Sequence, residues 1–187
     1  MDWQINRNYL ECVHSVNQNH AINSASSSIL AHETQRIEKE KNMEVKIKKI
    51  TESAIIPTKG SEEAAGFDLY VDTDTAVTIL PHQTKMLQTN IAFELPKWYF
   101  GAVFARSGLS TKKGIRPATC VSVIDSDYRG SVGVPLHNDT DEVRIIEPHE
   151  RVAQMVIIPV PEVELVLVDT LTETERASGG FGSSGKF

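Results

Sequence analysis

The stretch "WYFGAVFARSGLSTKK", residues 98–113, sets two kinds of local structure end to end. Up to Phe104 it is apolar and carries the aromatic and β-branched side chains that fit a pleated, buried surface. From Ser107 it changes to "SGLSTKK", which predicts one short helical stretch over 107–113 with Ser107 as its N-cap. Runs of the first kind recur at short spacing on both sides: "VKIKKI", "AVTIL", "MLQTNIAFEL", "VSVI", "VGVPL", "VRII", "RVAQMVIIPV" and "VELVLV". The segments "PTKG", "LPHQ", "LPKW", "HNDTDE" and "EPHE" read as the turns between them. Many short strands punctuated by Gly and Pro predict an all-β barrel or sandwich with one short helix. The eight prolines spread through this part of the chain weigh against long helices.

The 187 residues are 40% apolar and 24% charged, enough for one domain with its own core. No apolar run approaches the roughly 20 residues of a membrane span, so no membrane partner is expected. A net charge of −6 argues against a protein that grips nucleic acid by its phosphates. It leaves room for a small anionic ligand held by local positive charge. Cys12 and Cys120 lie far apart and in no metal-spaced cluster, which predicts a reducing, cytoplasmic setting without a disulfide framework. Residues 1–42 stand apart: they have no Gly or Pro but six of the chain's eight Asn. That composition predicts a disordered or loosely helical extension, with the folded domain starting at Met43 and running over 43–174.

Several polar residues sit where chemistry could be done. In "ARSGLS", 105–110, a helical turn after Ser107 would offer free N–H groups to an anion, with Arg106 adding a forked positive charge and Gly108 allowing close approach. The same letters also describe an ordinary strand-to-turn cap with a solvated Arg. In "SVIDSDYRGSV", 122–132, an apolar run delivers Asp125 to a turn, where its carboxylate could activate water or serve as an Asx-type turn former. In "AAGFDLY", Asp68 faces away from Phe67 and Leu69 if the segment is a strand. In "ERVAQM", Arg151 and Ala153 are expected on one face and Val152 and Gln154 on the other; Asp68 with Arg151 is the candidate ion pair. The six His show no ligand spacing and read as scattered surface residues. The C-terminal "GGFGSSGKF", 179–187, has most of a phosphate-loop composition, but no helix can follow it.

Taken in order, "AGFDLY", "ARSGLS", "SVIDSDYRGSV", "RVAQM" and "RASGGFGSSG" resemble the five motifs of the trimeric dUTPase family, over Met43 to Phe187. The resemblance implies a jelly-roll-like β fold and a homotrimer with active sites shared between subunits. It implies Mg²⁺-dependent hydrolysis of dUTP to dUMP and pyrophosphate, which limits uracil incorporation into DNA and supplies dUMP for thymidylate synthesis. Two related readings remain beside it: a binding or regulatory protein on the same fold, and a relative of the dCTP deaminases, which usually carry a second Ser at the position of Gly108.

What the resemblance implies for residues follows motif by motif. Asp125 matches the carboxylate that deprotonates the attacking water and contacts the deoxyribose hydroxyl. Tyr128 matches the aromatic packed under the sugar. A hairpin from about Ile115 to Ile124, with Thr119, Val123 and Ile124, matches the uracil pocket, and Gly133 a position facing the nucleotide. Arg106, Ser107, Gly108 and Gln154 match phosphate-binding residues. Asp68 matches a carboxylate supporting either the metal's water shell or Arg151. The tail, 175–187, matches a mobile lid, in which Arg176 clamps the γ-phosphate, Phe181 stacks on uracil, and Gly182, Ser183 and Ser184 donate to the terminal phosphate. Mg²⁺ is implied to be held by phosphates and water, with no direct protein ligand. Thr119 stands where many members have Asn, Ser122 where Gly is common, and Gly133 where many have a longer side chain.

A chain beginning at Met43 is expected to keep its oligomeric state and turnover. Light scattering and a pyrophosphate-release assay check this; dissociation into monomers would make the extension part of the assembly.

Overall fold

The computed structural model describes residues 43–180. The elements run β1 Lys46–Lys49, β2 Thr58–Lys59, β3 Phe67–Tyr70, β4 Val77–Ile79, β5 Thr84–Gln88, β6 Ile91–Glu94, β7 Tyr99–Phe104, α1 Ser107–Lys113, β8 Ile115–Pro117, β9 Ser122–Ile124, β10 Gly133–Asn138, β11 Arg144–Ile146 and β12 Arg151–Pro159. They form an all-β fold of small sheets: β2-β3-β12-β7-β9, β5-β10-β8, β1-β6 and β11-β4. Every pairing is antiparallel. Alternation explains the packing. On β10, Val134, Leu136 and Asn138 are buried while Gly133, Pro135 and His137 face outward. The inward residues of the sheets meet in one core around Leu69, Ile79, Ile91, Val103, Leu136 and Met155.

The turns explain how short strands are closed without glycine. "LPHQ" and "EPHE" are closed by N–H···O bonds from Gln83 to Leu80 and from Glu150 to Glu147, and "PKWY" by one from Tyr99 to Pro96. Their third residues, His82, Trp98 and His149, have φ of 56°, 70° and 58°, the left-handed value a type II turn requires there. Asn90 (φ 51°) does the same work inside "MLQTNIAFEL", breaking the expected single run into β5 and β6. Asn138, a polar residue in the core, donates to the carbonyls of Ile79, Leu80 and Glu142 and accepts from the Thr140 amide, so its burial leaves nothing unpaired.

Four expectations change. "PTKG" is not only a turn, because Thr58–Lys59 forms β2 against β3. "VELVLV" forms no strand: regular pairing stops at Pro159, and Leu165 and Leu167 are 96% and 99% exposed. A strand is defined by its partner, and none of the described residues pairs with this segment. On β12 a register shift between Arg151 and Ala153 turns both Val152 and Ala153 inward; such a bulge sets two residues opposite one and breaks alternation. Among the histidines, His82 is exposed as expected, whereas His137 and His149 are half-buried. Among the described residues no helix is long and apolar enough to cross a membrane.

Asp72 ties the loop before β4 to neighbouring segments. Its carboxylate accepts from Thr51 Oγ1 and, at 2.7 Å, from Asn90 Nδ2. Burial would raise its pKa, but the bonds from Thr51, Asn90 and Ser53 and the nearby His149 outweigh burial and hold it below the ordinary 3.8. A group depressed on folding stabilises the native state above its unfolded value and loses that contribution as pH falls through the folded one. Asp72→Asn is therefore expected to lower the melting temperature at pH 7 and to flatten the loss of stability below pH 3.8. Thermal melts between neutral and strongly acidic pH check both.

Candidate active site

The residues singled out by sequence fall into two groups. The first gathers where β3, β12 and the end of β7 meet. Asp68 lies opposite Gln154 across the β3–β12 pair, and Gln154 lies opposite Phe104 across β12–β7. Asp68 is buried, and both of its oxygens are taken: Oδ1 accepts from Arg106 Nε at 2.8 Å and Oδ2 from Arg151 Nη1 at 3.1 Å. Arg106 also donates from Nη1 to the Arg151 carbonyl at 3.2 Å. The expected Asp68–Arg151 pair is present, and Arg106 joins it. One buried carboxylate with two guanidinium groups leaves a net positive charge at the cluster's outer edge.

Gln154 Nε2 donates to the Ala105 carbonyl at 2.9 Å, fixing the exit of β7. The N-cap of α1 is Arg106, with φ −88° and ψ 129°, and no side chain caps it. Ser107 was expected there but is the first helical residue; its carbonyl accepts from Thr111 Oγ1 at 2.6 Å. Because the helix starts one residue earlier, the Ser107 hydroxyl is not spent on capping. Ser107 and Gly108 are exposed, and nothing lies within 4 Å of where a Gly108 Cβ would stand.

The second group lines a cleft of about 280 Å³ formed by Met86, Gln88, Val123, Ile124, Asp125, Tyr128, Ser131 and Gly133. Asp125 follows β9 directly. Its carbonyl accepts from the Tyr128 amide at 3.1 Å, closing a β-turn that points the carboxylate outward. Arg129 donates from Nη1 to the Ser126 carbonyl at 2.7 Å and fastens that turn. The Tyr128 hydroxyl donates to the Ser131 carbonyl at 3.1 Å, so its ring folds back across Gly130. A Cβ at Gly130 would overlap the phenol, so only glycine permits this fold-back. Ile124 is buried and Val123 is exposed.

The segment expected as a hairpin over 115–124 is not one: β8 pairs with β10 and β9 with β7. It crosses between two sheets instead. At its tip Thr119 Oγ1 and Ser122 Oγ lie 2.6 Å apart, and Thr119 does not line the cleft. In the tail, Arg176 is exposed and donates from Nε to the Gly179 carbonyl at 2.9 Å. Phe181, Gly182, Ser183 and Ser184 lie outside the described residues.

Sequence reasoning missed Met86, Gln88 and Ser131. Their place follows from the register of β5 against β10, with Gln88 opposite Gly133 and Met86 opposite Pro135, a long-range pairing that no local pattern announces.

Comparison with known proteins gives the family model "dUTPase" over residues 52–185. The deoxyuridine 5'-triphosphate nucleotidohydrolase of Nautilia profundicola is 45% identical over 144 residues, 77% of this chain and 100% of that one. The enzyme of the same name from a Hydrogenobaculum species is 43% identical over 143 residues, covering 76% and 99%. Among solved structures, the dUTPase of Staphylococcus bacteriophage 80alpha with dUPNHPP superposes with a TM-score of 0.70 at 27% identity, covering 77% of this chain and 99% of that one.

Removing the shared carboxylate should be felt in stability. Asp68→Ala leaves two guanidinium groups without their partner and is expected to lower the unfolding free energy by about 1.5–3 kcal/mol, the worth of a hydrogen bond to a charged group. Asp68→Asn should lose less. Urea denaturation of the three proteins checks the order.

Proposed function

The chain belongs to the dUTPase family, and we propose that it hydrolyses dUTP to dUMP and pyrophosphate at sites shared between the subunits of a homotrimer. The observation that carries the shared site is a length. Ile124 is opposite Gly101, so Asp125 lies level with Phe100, at the start of β7, while Arg106 lies beyond its end. Six residue steps, four within β7 and two through Ala105 to the extended Arg106, separate those levels by about 20 Å. A triphosphate is shorter than that, so the nucleoside cleft of one chain needs the Arg106 cluster of another. The surface supports assembly as well. The segment 163–168 exposes its apolar side chains, and a cleft of about 450 Å³ lined by Met43, Val45, Ile47, Ile56 and Phe93 has no cover among the described residues. Unpartnered apolar surfaces of this size mark interfaces.

In this reading uracil is read by the backbone of the 118–124 segment, including Val123 and Ile124, and Tyr128 packs under the deoxyribose, where a 2′-hydroxyl would meet its ring. Asp125 accepts a proton from water as the water oxygen bonds to the α-phosphorus. The bond from that phosphorus to the bridging oxygen breaks, and pyrophosphate leaves. Arg106, Ser107, Gly108 and Gln154 face the phosphates. Because Asp68 already holds Arg106 and Arg151 with both oxygens, its role is to position these arginines rather than a metal's water. Arg176, Phe181, Gly182, Ser183 and Ser184 close over the bound nucleotide and exclude bulk water.

Among the described residues no group of three His, Cys, Asp or Glu could hold a metal ion. That donor set fits Mg²⁺ only as a hard cation carried by phosphate and water oxygens, where it would offset the charge of the triphosphate. The exposed free Cys120 fits a reducing, cytoplasmic compartment.

One experiment tests base and sharing together. Asp125→Asn is expected to lower kcat by about 10²–10⁴-fold, and a chain ending at Thr174 should be nearly inactive. Trimers mixed from the two should regain activity, because some sites then combine an intact Asp125 with an intact tail. Near-normal turnover of Asp125→Asn would remove it as the base. Mixed trimers, confirmed by native mass spectrometry, with no gain would defeat the shared site.

A further inference from the structure

The cleft beside Asp125 has one wall that no motif supplies. On β5, Gln88 stands opposite Gly133 and Met86 opposite Pro135 of β10. Residues directly opposite across a strand pair share a face of the sheet, and this face floors the cleft. Because Gly133 has no side chain, its neighbours close over it. A Cβ there would stand 2.8 Å from Met86 Sδ and 3.0 Å from Gln88 Nε2, so glycine is what lets both reach that position.

Both side chains are exposed. The Gln88 main-chain carbonyl is taken by the Asp72 amide, whereas its side-chain amide has no hydrogen-bond partner among the described residues. An amide offers a donor and an acceptor without charge. A pyrimidine such as uracil presents the complement, an imide N–H flanked by two carbonyls. A thioether is polarisable and packs well against a flat ring. Asp125 is the only charged side chain lining the cleft among the described residues, so the recognition offered by the others is neutral.

We propose that Gln88 and Met86 are specificity-determining residues of the deoxyuridine pocket: the Gln88 amide adds a hydrogen bond to the base beside those of the 118–124 backbone, and Met86 forms the apolar floor beneath it. This deepens the dUTPase reading and rests on it.

The test compares Gln88→Leu, Gln88→Glu, Met86→Ala and Gly133→Ala in steady-state hydrolysis of dUTP and in inhibition by dUMP and by pyrophosphate. For Gln88→Leu, KM for dUTP and the inhibition constant of dUMP should rise together by about three- to tenfold, the range of one neutral hydrogen bond, with kcat within about twofold. Inhibition by pyrophosphate, which lacks the nucleoside, should not move. Gln88→Glu should weaken dUMP further, and Met86→Ala should also raise both constants. Gly133→Ala pushes both side chains aside, so it should weaken dUMP alone but add little on top of Gln88→Leu. Melting temperatures close to that of the unsubstituted chain are expected, because both side chains are exposed. Unchanged dUMP inhibition in Gln88→Leu, a fall in kcat alone, or equal weakening of dUMP and pyrophosphate would overturn the assignment. If the unsubstituted chain released no pyrophosphate from dUTP, the dUTPase reading itself would fall.

Discussion

The structure depends on β12 being hydrogen-bonded along both edges. It runs nine residues, pairing with β3 on one side and β7 on the other. That double pairing sets Asp68, Gln154 and Phe104 side by side and thereby decides where the Asp68–Arg106–Arg151 cluster forms. It also buries Val152, Ala153 and Met155 at the centre of the core. The bulge after Arg151 matters for the same reason. It turns Val152 and Ala153 inward together and leaves Arg151 at the rim, where its guanidinium can reach the buried carboxylate. A carboxylate taken out of water needs its full set of partners, and here the sheet register supplies them.

β7 links that cluster to the cleft beside Asp125 and also keeps them apart. One end of the strand pairs with β9 and so presents Asp125; the other end leads through Ala105 into Arg106 and α1. Asp125 and Arg106 are thus held near opposite ends of one element. In the proposed reading, this separation is what divides the site between two chains.

Sequence and structure agree most where a signal is local. The alternating runs, the Pro-containing turns and the helix at 107–113 all depend on neighbours a few residues away, and they were legible. The Asp68–Arg151 pair was legible because a polar residue inside an apolar strand demands a partner. Disagreements have a common cause in tertiary pairing. Nothing near Thr58 announces β2, which exists only because β3 has a free edge. "VELVLV" has every local mark of a strand and is not one, for want of a partner. Residues 115–124, a hairpin by family resemblance, belong to two sheets. Gln88 and Met86 carry no motif at all and reach the cleft through the register of β5 on β10. The N-cap moved by one residue because Arg106, held by Asp68, is already extended, and the helix simply begins after it.

The exposed segment after Pro161 has a consequence for the newly made chain. "VELVLV" is β-prone, apolar and free of proline, the composition that seeds cross-β aggregation when left uncovered. Glu162, Glu164 and Asp169 flank and interrupt it in the manner of gatekeeper charges. These residues follow β12 and so leave the ribosome after it. The sticky segment is thus made only after the paired strands, whose charges and core are already in place when it emerges.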